Sequence, residues 1–194
     1  MKISHDSGDR RVRRTRAAIQ EALTQLILEK GYDSVSVSDI IGRADIGRST
    51  FYSHFTDKRE VFDDTISELS VFLRAHSDGG EIFAFSLPLF EHIVEQQPVI
   101  RALFGRGGHS VAMRTTTNAL SGVIGDDLRA RLSGREIEPA QLDLLVAFVV
   151  GGYSSVIGHW LESKHRYSAA ELDAAFRAFV IPGVEGVLTA PGVA

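Results

Sequence analysis

The stretch 47-GRSTFYSHFTDK-58, Gly47 to Lys58, places Arg, Ser, Thr, Tyr, His and Lys within a few helical turns. Only two of its side chains, Phe51 and Phe55, are large and wholly apolar. They lie four apart and so share one helix face. A short helix built only for packing shows a wider apolar stripe. Arg48, Ser49, Thr50, Tyr52 and His54 are left to face outward, and all are donors suited to phosphate oxygens and base edges.

The residues before this stretch give it a setting. Ser36-Val37-Ser38-Asp39 has the S-x-x-D form of a capping box, in which a hydroxyl and a carboxylate satisfy orphan amides at a helix start. A short helix is predicted from there to about Ala44. Asp45-Ile46-Gly47 reads as a tight connection, because Asp and Gly tolerate left-handed backbone angles. A second short helix is predicted from Arg48 to about Phe55. Two short helices with such a turn, the second one polar, form a helix-turn-helix. In that motif the second helix enters the major groove and its N-terminal residues reach base edges. The alternative is a solvated helix with a capped start, and spacing alone leaves both readings open.

Helical periodicity dominates the rest of the chain. Ile19, Leu23, Leu26 and Ile27 follow i, i+4, i+7, i+8 spacing in a first helix that Gly31 ends. Asp57, with Glu60 three residues on, caps a longer helix through Val61, Phe62, Ile66, Leu69 and Leu73. Gly79-Gly80 breaks it. Pro88 and Pro98 suit first turns, which predicts helices over about 87–97 and 98–105. Gly105 to Gly108 reads as a loop, and helical spacing resumes from about His109 to Leu132. Pro139 opens a helix to about Lys164. A last helix starts near Ser168, and Pro182-Gly183 is expected to kink or split it.

Composition narrows the function classes. The chain has 194 residues, 44% of them hydrophobic and 24% charged, as expected of a globular protein. With no cysteine there is no disulfide, thiolate metal site or cysteine nucleophile. The opening MKISHDSGDRRVRRTR has no apolar run after its basic residues, so no secretory signal is expected in it. Residues 1–60 carry 11 Lys+Arg and 9 Asp+Glu, a net +2, against a total of −4 for the chain. Arg10, Arg11, Arg13, Arg14 and Arg16 crowd together with no acidic residue among them, a pattern that tracks phosphates or simply marks a solvated helix start.

From Thr15 to Phe62 the sequence resembles the DNA-binding domain of the tetracycline-repressor (TetR) family of bacterial transcription regulators. GYDSVSVSDI (31–40), Ala44 and IGRSTFYSHFTDKREVF (46–62) carry the resemblance. FEHIVEQQPVIRALFGRGG (90–108) and GGYSSVIGHWLESK (151–164) look, more loosely, like stretches of the family's C-terminal domain. The resemblance implies an all-α protein with a three-helix DNA-binding domain over residues 1–60 and a helical ligand-binding and dimerisation domain over 61–194. It implies that Arg48, Ser49 and Thr50 stand at the base-reading start of the recognition helix. Ser36, Tyr52, His54 and Lys58 match phosphate-contacting positions. Two departures stand out: Ile41 replaces a usual Ala, and Gly47 stands where a capping Ser or Thr is common.

Leu144 to Leu161 holds no formally charged residue, at the lower edge of a transmembrane length. Its paired glycines, serines and histidine argue instead for a buried helix, and no membrane span is expected. In the resembled family the last two long helices pair with those of a second subunit. Gly151, Ser155 and Gly158 would allow close approach there, although the same face suits packing inside one chain. The Phe-rich region 82–123 lies where the family encloses a ligand. Phe90, Phe104, Met113 and Asn118 are therefore candidate ligand contacts, with His92 and Arg114 as further polar groups. His92, His109, His159 and His165 lack metal-ligand spacing, and the glycines at 105–108 lack the Lys-Ser/Thr of a phosphate loop, so no metal or cofactor is expected.

The sequence thus points to a dimeric, cytoplasmic, ligand-responsive regulator that binds a palindromic operator, not an enzyme. Its rivals are a helical interaction protein that kept the motif but lost DNA binding, and an all-α enzyme with a site assembled only in space.

Overall fold

The computed structural model describes residues 4–77, 80–104, 111–132 and 137–189, and of residues 4–9, 104 and 189 the backbone only. The described residues form nine α-helices and one 3₁₀ turn, with no strand. In order, the helices are α1 (Ser4–Lys30), α2 (Val37–Arg43), α3 (Arg48–Tyr52), α4 (Lys58–Ala75), α5 (Ser86–Glu95), α6 (Gln97–Phe104), α7 (Val111–Arg131), α8 (Pro139–Glu162) and α9 (Ala169–Thr189). The 3₁₀ turn, Tyr32–Ser34, joins α1 to α2. The chain gathers into two compact units. One comprises Met1–Ser67 with Pro98–Thr115, the other Glu68–Gln97 with Thr116–Ala194.

The core of the first unit follows from helix periodicity. Ile19, Leu23, Leu26 and Ile27 of α1 are buried against Ile40 of α2, Phe51 of α3, Phe55, and Val61 and Phe62 of α4. Burying each such side chain contributes about 1.5–3 kcal/mol. Ala112 joins this core from α7, with Val99, Ala102 and Leu103 of α6 packed beside it. Ile41, the departure from the family's usual Ala, also packs partly buried against this cluster.

In the second unit α9 packs against α5 and α8. The core is aromatic: Phe83, Phe85, Phe90, Tyr153 and Phe176 are all fully buried. Tyr153 of α8 stacks on Phe176 of α9 with ring centroids 3.7 Å apart. Gly152, next to Tyr153, faces α9, where a Cβ would meet Phe176 and Val180 at 3.5 Å, an ordinary van der Waals contact.

Three boundaries differ from expectation. The recognition helix α3 ends at Tyr52, short of Phe55. Even so, Ser53 N–H still donates to Ser49 O and Phe55 N–H to Phe51 O, so Phe55 keeps its inward course. In the turn before α3, only Asp45 is left-handed (φ 50°). Gly47 is extended at φ −72° and needs no glycine for that. Helix α9 runs through Pro182 without splitting. The ring removes one amide donor, but Ala178 one turn earlier is exposed, so water can serve its carbonyl. The Gly105–Gly108 loop and His109 lie outside the described residues.

Candidate nucleic-acid interface and regulatory core

Local chemistry sets the pair α2–α3. Ser36 is the N-cap of α2. Asp39 N–H donates to Ser36 Oγ at 3.2 Å, and Ser36 N–H to Asp39 Oδ2 at 2.8 Å, which closes the capping box read from the sequence. The Ser36 hydroxyl also donates to Asp39 Oδ2 at 2.6 Å. Lys30 binds the same oxygen at 2.7 Å. Lys30 and Ser36 together hold the Asp39 carboxyl well below its usual range. Helix α4 is capped in a related way. Glu60 N–H donates to Asp57 Oδ1 at 2.8 Å, while the Glu60 carboxylate reaches back to the amide and hydroxyl of Thr56 at 2.6 and 2.7 Å.

On α3, Phe51 is buried and Arg48, Ser49 and Tyr52 are exposed, so the helix divides as its sequence suggests. Arg48 Nη2 makes only a long contact, 3.4 Å, to Ser38 Oγ on α2. Thr50 is half-buried. The ring of Tyr52 is 52% exposed and stands edge-on to Phe51, with centroids 5.4 Å apart. His54 is half-buried and its carbonyl accepts from Arg16 Nη1 at 3.4 Å. The structure thus gathers Arg48, Ser49, Thr50 and Tyr52 on one five-residue helix, with Ser36 at the start of its partner.

Two cations grouped with the phosphate contacts by sequence are held by the fold itself. Arg16 lies 4.4 Å over the Phe55 ring and pairs with Asp64 at 2.7 Å. It therefore turns inward, away from the solvent-facing arginines Arg11 and Arg14 of the same cluster. Lys58 Nζ donates to the carbonyls of Tyr32, Asp33 and Val35 at 3.0, 3.1 and 2.8 Å. Its ammonium also sits 4.7 Å over the Tyr32 ring. The sequence hid both arrangements because their partners lie 23 to 48 positions away in the chain.

The candidate ligand contacts are not brought together as a group. Phe90 lies inside the aromatic core of the second unit, 5.6 Å from Tyr153 and 6.1 Å from Phe176 between ring centroids. Met113 is half-buried on the part of α7 that belongs to the first unit. Asn118 and Arg114 are exposed, and the side chain of Phe104 lies outside the described residues. His92 is half-buried, and that burial lowers its pKa.

Sequence reasoning missed the polar atoms inside the core. Ser86 Oγ, Tyr153 Oη and Asp173 Oδ1 are buried without a hydrogen-bond partner among the described residues. Ser86 stands beside Tyr153 and eases its ionisation, but the two hydroxyls do not align as a hydrogen bond. Burial dominates and pushes the Tyr153 phenol far up. A buried polar group without a partner costs about 1–3 kcal/mol. Two of them, on Ser86 and Tyr153, lie within the fully buried aromatic core.

Beside this core the backbone of Phe83 is left-handed, at φ 54°. Such a conformation in a bulky residue persists only where its surroundings impose it. Asp127 Oδ2 accepts from Phe83 N–H at 3.2 Å and from Arg131 Nε at 3.1 Å. Arg131 in turn donates to the carbonyls of Gly80 and Glu81. Arg177 Nη1 donates to the carbonyls of Ile82 and Phe83 at 3.1 and 3.2 Å, and its Nη2 to the Glu81 carboxylate at 2.7 Å.

Helix α8 is long and apolar enough to cross a membrane, but 44% of its most apolar window is buried within the structure. Its exposed side is nonetheless apolar. Leu144 is 72% and Phe148 60% exposed, and on α9 Phe179 is 76% exposed. Gly151 and Ser155 continue that face of α8 and are exposed, while Gly158 is half-buried. A Cβ at Gly151 or Gly158 would meet nothing within 4 Å.

Comparison with known proteins places these features in a family. Residues 19–65 match the model of the bacterial regulatory proteins of the tetR family. Residues 80–181 match that of a transcriptional regulator C-terminal region. An uncharacterised HTH-type transcriptional regulator of Bacillus subtilis (strain 168), YxbF, is 42% identical over 59 residues, 30% of this chain and 16% of that protein. Another, from Haemophilus influenzae, is 30% identical over 110 residues, 52% of this chain and 54% of that protein. The chain therefore spans about half or less of the length of these relatives. The solved TetR transcriptional regulator from Streptococcus agalactiae 2603V has the same fold, with a TM-score of 0.67 at 22% identity, over 90% of this chain and 97% of that one. With both its helix-turn-helix and more than half its length matched by models of such regulators, the chain belongs to the TetR family of bacterial transcriptional regulators.

Proposed function

We propose that this protein is a cytoplasmic homodimer that binds a palindromic DNA operator and represses transcription until a small molecule releases it. Residues 1–60 read the DNA, and residues 61–194 bind the effector and form the dimer. The protein acts by binding and carries out no catalytic step. The observation that carries the reading is α3, with Phe51 buried in the core and Arg48, Ser49 and Tyr52 turned to solvent. A guanidinium at the first turn of a recognition helix can donate two parallel bonds to O6 and N7 of guanine. Ser36, Tyr52 and His54 serve the phosphates on either side. This face is what an interaction protein that had lost DNA binding would have no reason to keep.

The dimer is supported by the uncovered apolar face of Leu144, Phe148 and Phe179, with Gly151 and Ser155 beside them. Two-fold pairing through it would present two recognition helices to paired half-sites. The effector is supported by the aromatic core around Phe90 with its unpartnered Ser86, Tyr153 and Asp173 atoms. That combination suits a lipophilic molecule carrying one polar group. By linkage, operator DNA weakens effector binding by the factor by which effector weakens DNA binding.

Selection of binding sites from random DNA tests the reading. The parent protein enriches a guanine at one symmetric position in each half-site. Arg48→Ala loses that preference alone, with about 1–3 kcal/mol lost per contacted site. Enrichment of the same sequence by both proteins would make Arg48 a phosphate clamp and pass base reading to Ser49 and Thr50. No enrichment by the parent would remove the DNA-binding reading itself.

A further inference from the structure

We infer that Lys58 is a positioning residue, which fixes the turn delivering the α2 N-cap to the DNA, and not a phosphate contact. The inference rests on the reading of α2 and α3 as the DNA-contacting pair. An ammonium carries three N–H donors and no acceptor. At Lys58 three carbonyl oxygens take them, those of Tyr32, Asp33 and Val35, all within 3.1 Å. No donor is left over for a phosphate without breaking one of these bonds.

The placement of the charge points the same way. Lys58 is the first residue of α4. A cation there opposes the positive end of the helix dipole, so the position is unfavourable unless the charge is directed elsewhere. It is directed back onto the 3₁₀ turn, where the carbonyls of Tyr32 and Asp33 accept from it. Tyr32 O also accepts from Val35 N–H at 3.1 Å, and Ser34 N–H donates to Gly31 O at 3.2 Å. The Asp33 and Val35 carbonyls accept from Lys58, the Val35 one at a buried residue. The stem of Lys58 is half-buried, and its ammonium sits over the Tyr32 ring.

The turn matters because it leads directly into α2. Val35 is buried and its carbonyl is held by Lys58, while the next residue, Ser36, caps α2. The position and direction of the N-cap are therefore set from both sides. Asp39 holds it from within the helix, and Lys58 holds it from α4 through Val35. Without Lys58 the Val35 carbonyl, one residue before the N-cap, loses its tie to α4. The cation thus acts on DNA through the geometry of Ser36 and α2.

Lys58→Met in the full-length protein tests this, because it keeps an unbranched stem against Tyr32 and removes the three donors. Operator affinity is titrated over a range of salt, using the DNA that the parent protein enriches from a random pool. Positioning predicts binding weaker by about tenfold, the size of one missing hydrogen bond to a charged group, with the parent's log–log salt slope and faster amide exchange at Val35 to Asp39. A slope shallower by about 0.9 for each phosphate no longer neutralised overturns the proposal, whatever the exchange does. An unchanged slope with unchanged exchange overturns it as well. Should the variant fail to fold, the Lys58 ammonium is followed by nitrogen NMR in the unaltered protein. Slowly exchanging, rigid ammonium protons that do not shift on adding operator support the proposal, and protons that become ordered only with DNA sink it. If the parent binds no DNA, the DNA-binding reading fails, while the exchange and ammonium signals still report on the clamp.

Discussion

The start of α2 and the aromatic core of the second unit satisfy their polar groups in opposite ways. Around Ser36 the cap and turn backbone groups have partners three to six positions along the chain or are held by a cation, namely Asp39, Lys30 and Lys58, and only the buried Tyr32 hydroxyl lacks one among the described residues. Around Tyr153 the neighbours come from helices far apart in sequence, and three polar atoms have no partner among the described residues. The first region is a finished surface whose chemistry faces outward. The second is an unfinished interior, and in a family of ligand-responsive regulators such an interior is where a ligand would complete the bonding.

The largest effect expected to sharpen this contrast comes from Phe176→Ala. It removes the ring stacked on Tyr153 and leaves a cavity in the core of the second unit, so urea unfolding should show a loss of about 3–5 kcal/mol. A loss under about 1 kcal/mol would mean that the aromatic core is loosely packed. Of intermediate size is Tyr153→Phe, which deletes an unpartnered hydroxyl. Urea unfolding should show stability unchanged or raised by about 1 kcal/mol, and effector response should fall. A substantial loss of stability would show that the hydroxyl is satisfied after all, and the two regions would no longer differ.

The smallest effect is the acid response of the α2 cap, which lies at the surface and is screened by solvent. The folded state holds the Asp39 carboxyl below its ordinary value. Its stabilisation is therefore complete above the unfolded carboxylate range, about pH 4, and is lost as pH falls through the lower folded value. Glu60 and Glu171 are lowered for the same reason, each by a capping Thr or Ser. Asp39→Asn should lose less stability than the parent between neutral pH and about pH 3, read from urea midpoints. Parallel curves would mean that the cap bonds do not persist in solution.

Legibility in the sequence follows the same divide. The capping box at Ser36, the inward Phe51 and Phe55 and the outward Arg48 depend on spacings of three or four residues, which helical geometry fixes in advance. They can be read from the string of residues alone. Arg16 and Lys58 read there as free cations, because nothing in a linear string shows that Asp64 or the Tyr32 carbonyl lies beside them. Among the candidate ligand residues whose side chains are described, only Phe90 falls inside the aromatic core. The unpartnered Ser86 and Asp173 carry no periodic signal, since each is an ordinary polar residue at a helix start or on a helix face. The run through Pro182 is equally hidden, because a proline in a helix is tolerated or not according to what its missing amide would have faced.

The left-handed backbone at Phe83 also orders events during synthesis. Its amide is held by Asp127 and its carbonyl by Arg177, 94 residues further along the chain. A ribosome adding roughly ten residues per second takes several seconds to supply that arginine. In the interval Phe83 has no reason to keep its conformation, and Phe85 and Phe90 have neither Tyr153 nor Phe176 to cover them. The first unit, by contrast, is fully translated once Thr115 has left the ribosome. The helix-turn-helix can therefore take shape on a nascent chain that still exposes a cluster of phenylalanines, and that cluster is the surface a chaperone would meet first.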